Sequence, residues 1–404
     1  MVNKATWDAD VIIVGGGMVG LALACALKNT SFSVMVVERS FSAPRLSLGR
    51  DMRVSAMVLG TAQMLNGIGV WPHLADRAGP IEAMRIWDNQ EDGGIRFDAG
   101  EIDSQALGYL VENSVLVEAM HKCLMGAENV HLECPAEVEA VSWLADHAEL
   151  KLADGRTLKT PLLVGADGGF SWLRSQAGIN EYGHPYGQKG IVATIRTQIP
   201  HRNMAYQRFM PTGPLAFLPL TDNLISIVWS AADHEAERLM ALDSEAFASE
   251  LYLAFGPLLG DITEIGDRGA FPLRVNLAAH TVRHRLALIG DAAHQIHPLA
   301  GLGVNLGLRD AMVLAQQLVD ARRYDEDWGE MSVLNRYMKQ RMPDVLSVMG
   351  AMEGFHYLFT SELPGLAKVR GLGMRLVGNS GPVKKMLMRN STGLSLSVPK
   401  HIRS

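Results

Sequence analysis

DVIIVGGGMVGLALACALKNTSFSVMVVE, residues 10–38, decides the fold of this chain. Val11–Val14 is a short apolar run of the kind a strand buried on both faces needs. Three glycines follow, then a stretch from Met18 to Lys28 that reads as a helix, then the β-branched run Val34–Val37 and Glu38. The whole is one β-α-β unit. Within it, Gly15-x-Gly17-x-x-Gly20 stands after a strand and opens a helix. Without side chains the backbone can turn tightly and approach a pyrophosphate, which rests on the positive helix end. Glu38 closes the second strand, where an acid accepts hydrogen bonds from an adenosine ribose, with Arg39 beside it. The same residues would also make a plain β-α turn with a surface glutamate. Strand, glycines, helix and acid together favour a dinucleotide, and an acid favours FAD or NAD over NADP.

Working outward, Asp154-Gly155 is a hairpin signal, and Leu162–Val164 reads as a buried strand running into Gly165-Ala166-Asp167-Gly168. From Gly190 to Trp229 the runs Gly190–Thr197, Tyr206–Met210, Leu215–Leu220 and Leu224–Trp229 alternate with turn residues, as in an inserted antiparallel sheet. Leu286–Ile289 returns to a buried strand, Gly303–Ala321 has helical periodicity, and the chain after Asp344 reads as helical. The expected class is α/β, with no second glycine-rich unit and no internal repeat.

Three further places carry chemistry. Gly290-Asp291 follows the strand Leu286–Ile289, so Asp291 is delivered to the carboxyl edge of a sheet, where ligands of open α/β sheets bind. An acid there suits a ribityl chain. Gly301 and Gly303 allow backbone amides close to a ring, and the helix opening at Gly303 directs its positive end there, which suits a reduced flavin better than a nicotinamide. Asp167-Gly168, followed by Ser171 and Arg174, is on its own only a turn. Asp51-Met52-Arg53 offers a buried arginine for a pyrophosphate, or else a surface ion pair. His294 and His297 lack a third ligand at metal spacing, so no metal is expected.

The chain has 404 residues, 48% hydrophobic and 20% charged, enough to bury a large core and far from disorder. Its 37 basic and 43 acidic residues leave a charge of −6, which argues against nucleic acid as partner. Cys25, Cys123 and Cys134 are widely spaced and odd in number, so they suit a reducing compartment such as the cytoplasm rather than a disulfide framework. The stretch Val11–Leu27 lacks charges, but it is too short and too rich in glycine to span a membrane. Asp8 and Asp10 stand where a signal peptide would be basic.

GGGMVG (Gly15–Gly20) with Glu38, GADGGFSWLR (Gly165–Arg174) and GDAAHQIHPLAGLGVNLGLRD (Gly290–Asp310) together resemble the three fingerprints of the class A FAD-dependent aromatic hydroxylases, which have the p-hydroxybenzoate hydroxylase fold. Within that group RVSAMVLGTAQMLNGIGVW (Arg53–Trp71), GYLVENSVL (Gly108–Leu116) and RFMPTGPLAFLPL (Arg208–Leu220) resemble the ubiquinone-biosynthesis hydroxylases. The resemblance implies a Rossmann-like (GR2-type) FAD-binding domain made of 1–75, 101–180 and 268–330. It also implies a substrate domain of 76–100 and 181–267, and a helical region with a basic tail over 331–404. It implies non-covalent FAD, with Gly15, Gly17, Gly20, Glu38, Arg39 and Arg53 on the ADP half. Asp167, Gly290 and Asp291 fall at the pyrophosphate and ribityl region, and Gly303, Val304 and Asn305 face the isoalloxazine. His297 and Pro298 are flavin-loop candidates, and no catalytic base is named. Leu302 stands where the family carries glutamine.

The implied activity is hydroxylation of a polyprenylated phenol or quinol through a flavin C4a-hydroperoxide, with NAD(P)H or another donor as transient reductant. Hydroxylation of another aromatic compound and FAD-dependent isoprenoid reduction are the alternatives. The ring position stays open, the demethoxyquinol ring being the one the segments lean towards. Phe209, Phe217, Leu218 and Trp229 of the inserted sheet are candidates for the substrate wall, although for any single one of them filling the sheet's own core is the better reading. A homo-oligomer and a complex of ubiquinone-biosynthesis proteins are compatible with this reading. After Glu362 no acid occurs, while Lys368, Arg370, Arg375, Lys384, Lys385, Arg389, Lys400 and Arg403 do. Leu366, Val369, Leu372 and Leu376 recur at helical spacing among them, the pattern of a helix lying on the anionic inner face of a membrane.

Overall fold

The computed structural model describes residues 7–41, 43–88, 94–211, 213–296, 303–360 and 380–393. Its helices are α1 (Met18–Leu27), α2 (Leu59–Gly67), α3 (Asn113–Leu124), α4 (Trp172–Gln176), α5 (Asp233–Ala241), α6 (Ser244–Phe255), α7 (Gly303–Arg323), α8 (Met331–Thr360) and α9 (Gly381–Ser391).

The opening β-α-β unit forms the middle of a six-stranded sheet. Its order is Val130–Glu133, Val34–Val37, Val11–Val14, Leu162–Gly165, Leu286–Leu288 and Val282–Arg283, parallel except for the last strand. Both faces are covered, which is why these strands read as continuous apolar runs. Val11, Ile13, Val34 and Val36 pack against α1, α3 and α7. Ile12, Val14, Val37 and Leu163 pack against Leu173 of α4 and a three-stranded antiparallel sheet, Val138–Trp143, Ala148–Leu152 and Thr157–Thr160. The last two of those strands are the hairpin signalled by Asp154-Gly155.

A second sheet has eight strands, in the order His294–Gln295, Ile262–Ala278, Glu181–Thr197, Ile225–Ala232, Gly213–Pro219, Met204–Met210, Ala83–Trp87 and Ile95–Asp98. Every pairing is antiparallel except that of Met204–Met210 with Ala83–Trp87. The four runs expected from 190 to 229 are all present, the first of them extended backwards to Glu181. One face of this sheet is sealed by α5 and α6, whose Ala236, Leu239, Phe247, Leu251 and Phe255 meet Ile191, Ile195, Phe217, Ile227 and Trp229.

That contact corrects part of the sequence reading. Phe217 stacks on Phe255 with ring centroids 3.7 Å apart, and Trp229 tilts against Phe247 at 6.1 Å, so both fill the sheet–helix core and line no cleft. On the next strand Tyr206, Arg208 and Met210 turn the same way, Arg208 Nη1 donating to the Ala254 carbonyl of α6. Alternation along the strands then puts Phe209 and Leu218 on the opposite face. There Leu218 packs beside Leu48, Val54, Ala56 and Leu110.

Candidate flavin site

The carboxyl ends of four adjacent parallel strands lie in a row, since Val14 is in register with both Val37 and Gly165, and Gly165 with Leu288. Each strand is followed directly by one of the segments singled out from sequence. They are Glu38, the glycine turn, Asp167-Gly168 and Gly290-Asp291. Separated by as much as 276 residues between Gly15 and Asp291, they share one edge, where open α/β sheets bind ligands.

Each glycine of the first turn has a distinct cause. Gly15 has φ +110°, a conformation open to glycine but not to side-chain-bearing residues. A Cβ on Gly20 would collide with the Gly15 carbonyl oxygen and crowd Ala166, so α1 could not sit this close to the sheet. Gly17, the N-cap of α1, has nothing within 4 Å of such a Cβ. Its side-chain space is open, so the protein alone has no reason to keep it empty. Glu38 Oε2 accepts the N–H of Gly16 (2.7 Å) and Oε1 that of Ser40 (2.9 Å), which fixes the carboxylate beside the turn. Arg39 is exposed.

Arg53 is exposed too, contrary to the buried arginine expected, and Asp51 is no surface ion pair. Asp51 is buried, and its carboxylate accepts the backbone N–H of Arg53 and of Ser114, both at 3.0 Å. The buried arginine of this segment is Arg50. It pairs with Glu112 at 3.0 Å and with Asp222, in the turn that follows the strand Gly213–Pro219, tying this segment to the eight-stranded sheet. Arg77 reaches the same Glu112 at 2.7 Å. Held by these contacts, the chain around Arg53 leaves its guanidinium free to meet an anion.

Asp167 Oδ2 accepts the N–H of Leu173 (3.0 Å), while Oδ1 is buried without a hydrogen-bond partner among the described residues. A buried acceptor left open is costly unless something else donates to it. Ser171 caps α4 by accepting the N–H of Arg174 (3.0 Å). Arg174 is the clasp of the region. It donates to Gly169 O and to Ala292 O, both at 2.9 Å, and pairs with Glu181, so one side chain joins two of the four segments.

Asp291 follows Gly290, whose φ is +61°. Solvent reaches the carboxylate, yet protein surrounds it closely enough that desolvation raises its pKa, against the opposing pull of His294 and Gln295. Beneath it lies a fully buried group that sequence reading had not singled out. Asp310 of α7 accepts from Gly290 N at 3.0 Å, His294 Nε2 at 2.7 Å and Arg341 Nε at 2.7 Å. Burial pushes the Asp310 pKa up, but His294 and Arg341 pull harder, and it ends below the ordinary value. Asp310 stands inside the third fingerprint, but nothing local pairs it with Arg341 on α8. His294 is therefore a positioning residue, held under the loop and turned to Asp310.

At the start of α7, Gly303 is half-buried and Val304 packs towards the α1 side of the core. Asn305, the next residue, is buried. Its Oδ1 accepts from Val58 N (3.1 Å) and its Nδ2 donates to Ala56 O (2.7 Å), anchoring the strand Val54–Val58. What this turn can present to a ring is backbone N–H, which the first turn of a helix leaves unpaired. The candidates His297, Pro298, Gly301 and Leu302 lie outside the described residues. Among the described residues no group of three or more His, Cys, Asp or Glu could hold a metal ion.

The arrangement fits FAD. The glycine turn and Glu38 suit an ADP half, Arg53 a pyrophosphate, and the open Asp167 oxygen and Asp291 the hydroxyls between it and the ring. Residues 8–350 match the family described as "FAD binding domain". The chain belongs to that family.

This flavoprotein is 38% identical over 385 residues to the ubiquinone hydroxylase UbiL of Rhodospirillum rubrum, covering 95% of this chain and 90% of that protein. It is 37% identical over 396 residues to the 3-demethoxyubiquinol 3-hydroxylase of Escherichia coli, covering 98% and 100%. Among solved structures, p-nitrophenol 4-monooxygenase PnpA of Pseudomonas putida superposes with a TM-score of 0.78 at 18% identity, over 94% of this chain and 96% of that one. The last likeness shows the fold, and the first two show the kind of enzyme. The chain is an FAD-dependent monooxygenase.

Proposed function

We propose that this flavoprotein hydroxylates the aromatic ring of a polyprenylated phenol or quinol in ubiquinone biosynthesis. The observation that carries the reading is end-to-end similarity, at 37% and 38% identity, to two hydroxylases named for ubiquinone or its demethoxy precursor. Bound flavin, once reduced, supplies the activated oxygen. The chain's own task is to hold the ring near it and keep water away. For that, the face of the eight-stranded sheet opposite α5 and α6 offers Val192, Phe209, Ala216, Leu218 and Val228, an apolar surface facing the segment that carries Met52 and Val54. The sheet thus serves as substrate wall through Phe209 and Leu218, and as its own core through Phe217 and Trp229. The division into a discontinuous FAD-binding part and a substrate part of 76–100 and 181–267 belongs to the same proposal.

A single glycine-rich β-α-β unit leaves no second nucleotide-binding domain among the described residues, so NAD(P)H or another donor visits transiently. No helix among them is long and apolar enough to cross a membrane. We place the enzyme at the surface of one, because the substrate is prenylated and the end of the chain is basic.

The test of the central claim is oxygen-isotope labelling. Purified enzyme, reductant and a short-chain demethoxyquinol under labelled oxygen gas should give a hydroxylated ring carrying one labelled atom. A ring labelled from water, or reduced in its prenyl tail without oxygen, would contradict it. Mass spectrometry of quinone intermediates in cells lacking the protein then identifies the ring position.

A further inference from the structure

On the sheet face that α5 and α6 leave open, a glutamine stands in a row of apolar side chains. Strand alternation puts Gln207 and Phe209 on that face, because Tyr206, Arg208 and Met210 turn towards α5 and α6. Gln207 is opposite Ala216, Ala216 opposite Val228 and Val228 opposite Val192, one row across four neighbouring strands. Leu218, two residues beyond Ala216 on its strand, lies diagonally from Gln207 on the same face. Gln207 is only 6% exposed, yet no described residue hydrogen-bonds its carboxamide. Nor are its amide oxygen and nitrogen sealed from water. Protein therefore encloses the side chain and leaves its polar end open to the cleft. Thr194, Ser226 and Ser230 belong to the same face, but their hydroxyls are short and the residues almost wholly covered.

This wall adjoins the flavin edge at two places. The sheet's last strand, His294–Gln295, begins three residues after Asp291 and pairs with Asn276 and Leu277. Leu218 packs beside Val54 and Ala56, whose strand Asn305 ties to the first turn of α7. A carboxamide has one acceptor oxygen and an NH2 donor. Kept unpartnered on an apolar wall it carries a desolvation cost, which a hydrogen-bonding ligand would offset.

We propose that Gln207 recognises a ring hydroxyl of the substrate and so determines how the ring stands on this wall. The inference rests on the substrate class proposed above. The Gln207 amide oxygen accepts a hydrogen bond from the hydroxyl, and its NH2 donates to an oxygen on the adjacent ring carbon. Val192, Phe209, Leu218 and Val228 offer the ring and its prenyl substituent contact area, but apolar contact gives little direction. The hydrogen bonds fix the rotation of the ring in its own plane, and with it the carbon turned to the flavin. A ring without that hydroxyl is bound less well, because it leaves the buried carboxamide unpaired.

The experiment uses the full-length FAD-loaded enzyme, a short-chain demethoxyquinol and the two monophenols that each lack one of its hydroxyls. Binding is read anaerobically from the absorbance shift of the oxidised flavin. Wild-type enzyme should bind one of the two monophenols about tenfold more weakly than the quinol. Gln207→Met, apolar and of similar length, should bind the quinol about tenfold more weakly and no longer distinguish it from that monophenol. Its FAD content should be unchanged and its melting temperature equal or higher, since no hydrogen bond within the protein is broken. In turnover it should spend more reductant per hydroxylated ring, the excess appearing as hydrogen peroxide, because the ring is no longer held in place. Unchanged quinol affinity, equal losses for the quinol and both monophenols, or a lowered melting temperature would each overturn the assignment. So would wild-type enzyme that binds all three alike, whatever the variant does. Wild-type enzyme that neither binds nor hydroxylates the quinol would instead overturn the substrate class, and the assignment with it.

Discussion

Three residues of the flavin edge can be separated by what their neighbours demand. Gly20 is required by the protein, because a Cβ would strike the Gly15 backbone. Gly17 is not, since the space beside it is open. Gly20→Ala should therefore lower the melting temperature of even the flavin-free protein, costing about 1–3 kcal/mol of overpacking. Gly17→Ala should leave that stability within about 0.5 kcal/mol and still weaken FAD. Paired thermal melts and flavin-to-protein absorbance ratios check both. Asp291→Ala removes a carboxylate that solvent reaches at the same edge. A charge-assisted hydrogen bond to a hydroxyl contributes about 1.5–3 kcal/mol, so FAD should bind roughly ten- to a hundredfold more weakly. Flavin fluorescence titration measures it, and unchanged affinity would displace the ribityl site from Asp291.

Among elements, the contact that decides the flavin loop is that of α7 with α8, and its centre is Asp310. Removing one partner of a buried ion pair leaves the other unpaired and costs about 3–5 kcal/mol. Asp310→Asn should therefore destabilise the enzyme by that order at neutral pH and loosen the segment Gly290–Ile296, seen as faster amide exchange there. The pH dependence follows from the direction of the shift. Asp310 titrates lower folded than unfolded, so its stabilising contribution is complete above the unfolded value, about 4, and fades as pH falls through the folded one. The gap between wild-type and Asp310→Asn melting temperatures should be widest near neutrality and narrow in acid below about pH 4. A gap that is constant with pH would mean that Asp310 is protonated in the folded enzyme.

For the whole molecule, charge is distributed unevenly. The eight lysines and arginines after Glu362 leave −14 on the rest of a chain whose net charge is −6. The helix expected over Leu366–Leu376 lies outside the described residues, but α9 is described. Lys384 is spent on Glu101 at 2.6 Å and Met388 is buried, which docks α9 on the body. Val383, Met386 and Leu387 remain exposed, together with Lys385 and Arg389. Apolar and basic side chains exposed on one helix suit an anionic bilayer surface, where each cation contributes about 1 kcal/mol and salt screens the attraction. The enzyme should sediment with anionic vesicles at low salt and be released at high salt. Lys385→Glu with Arg389→Glu, which disturbs no buried group, should weaken sedimentation. Equal binding by the variant would remove α9 from the interface.

How much of this was legible beforehand depended on the range of the cause. The β-α-β unit, the glycine turn, Glu38 and the hairpin at Asp154-Gly155 are local, set by periodicity and backbone freedom within a few residues. Sequence alone was enough for them. Along the inserted strands it also determined which side chains share a face, for period two is local as well. It did not determine which face α5 and α6 would cover, and that choice sent Phe217 and Trp229 inward and left Phe209 and Leu218 to the other side. Only tertiary structure decided that Arg50 rather than Arg53 is buried and that Asn305 serves the strand Val54–Val58. The grip of Asp310 on His294 and Arg341 is of the same kind. A buried charge must find its partners where packing brings them, and in this chain those partners are 16 and 31 residues away on other segments.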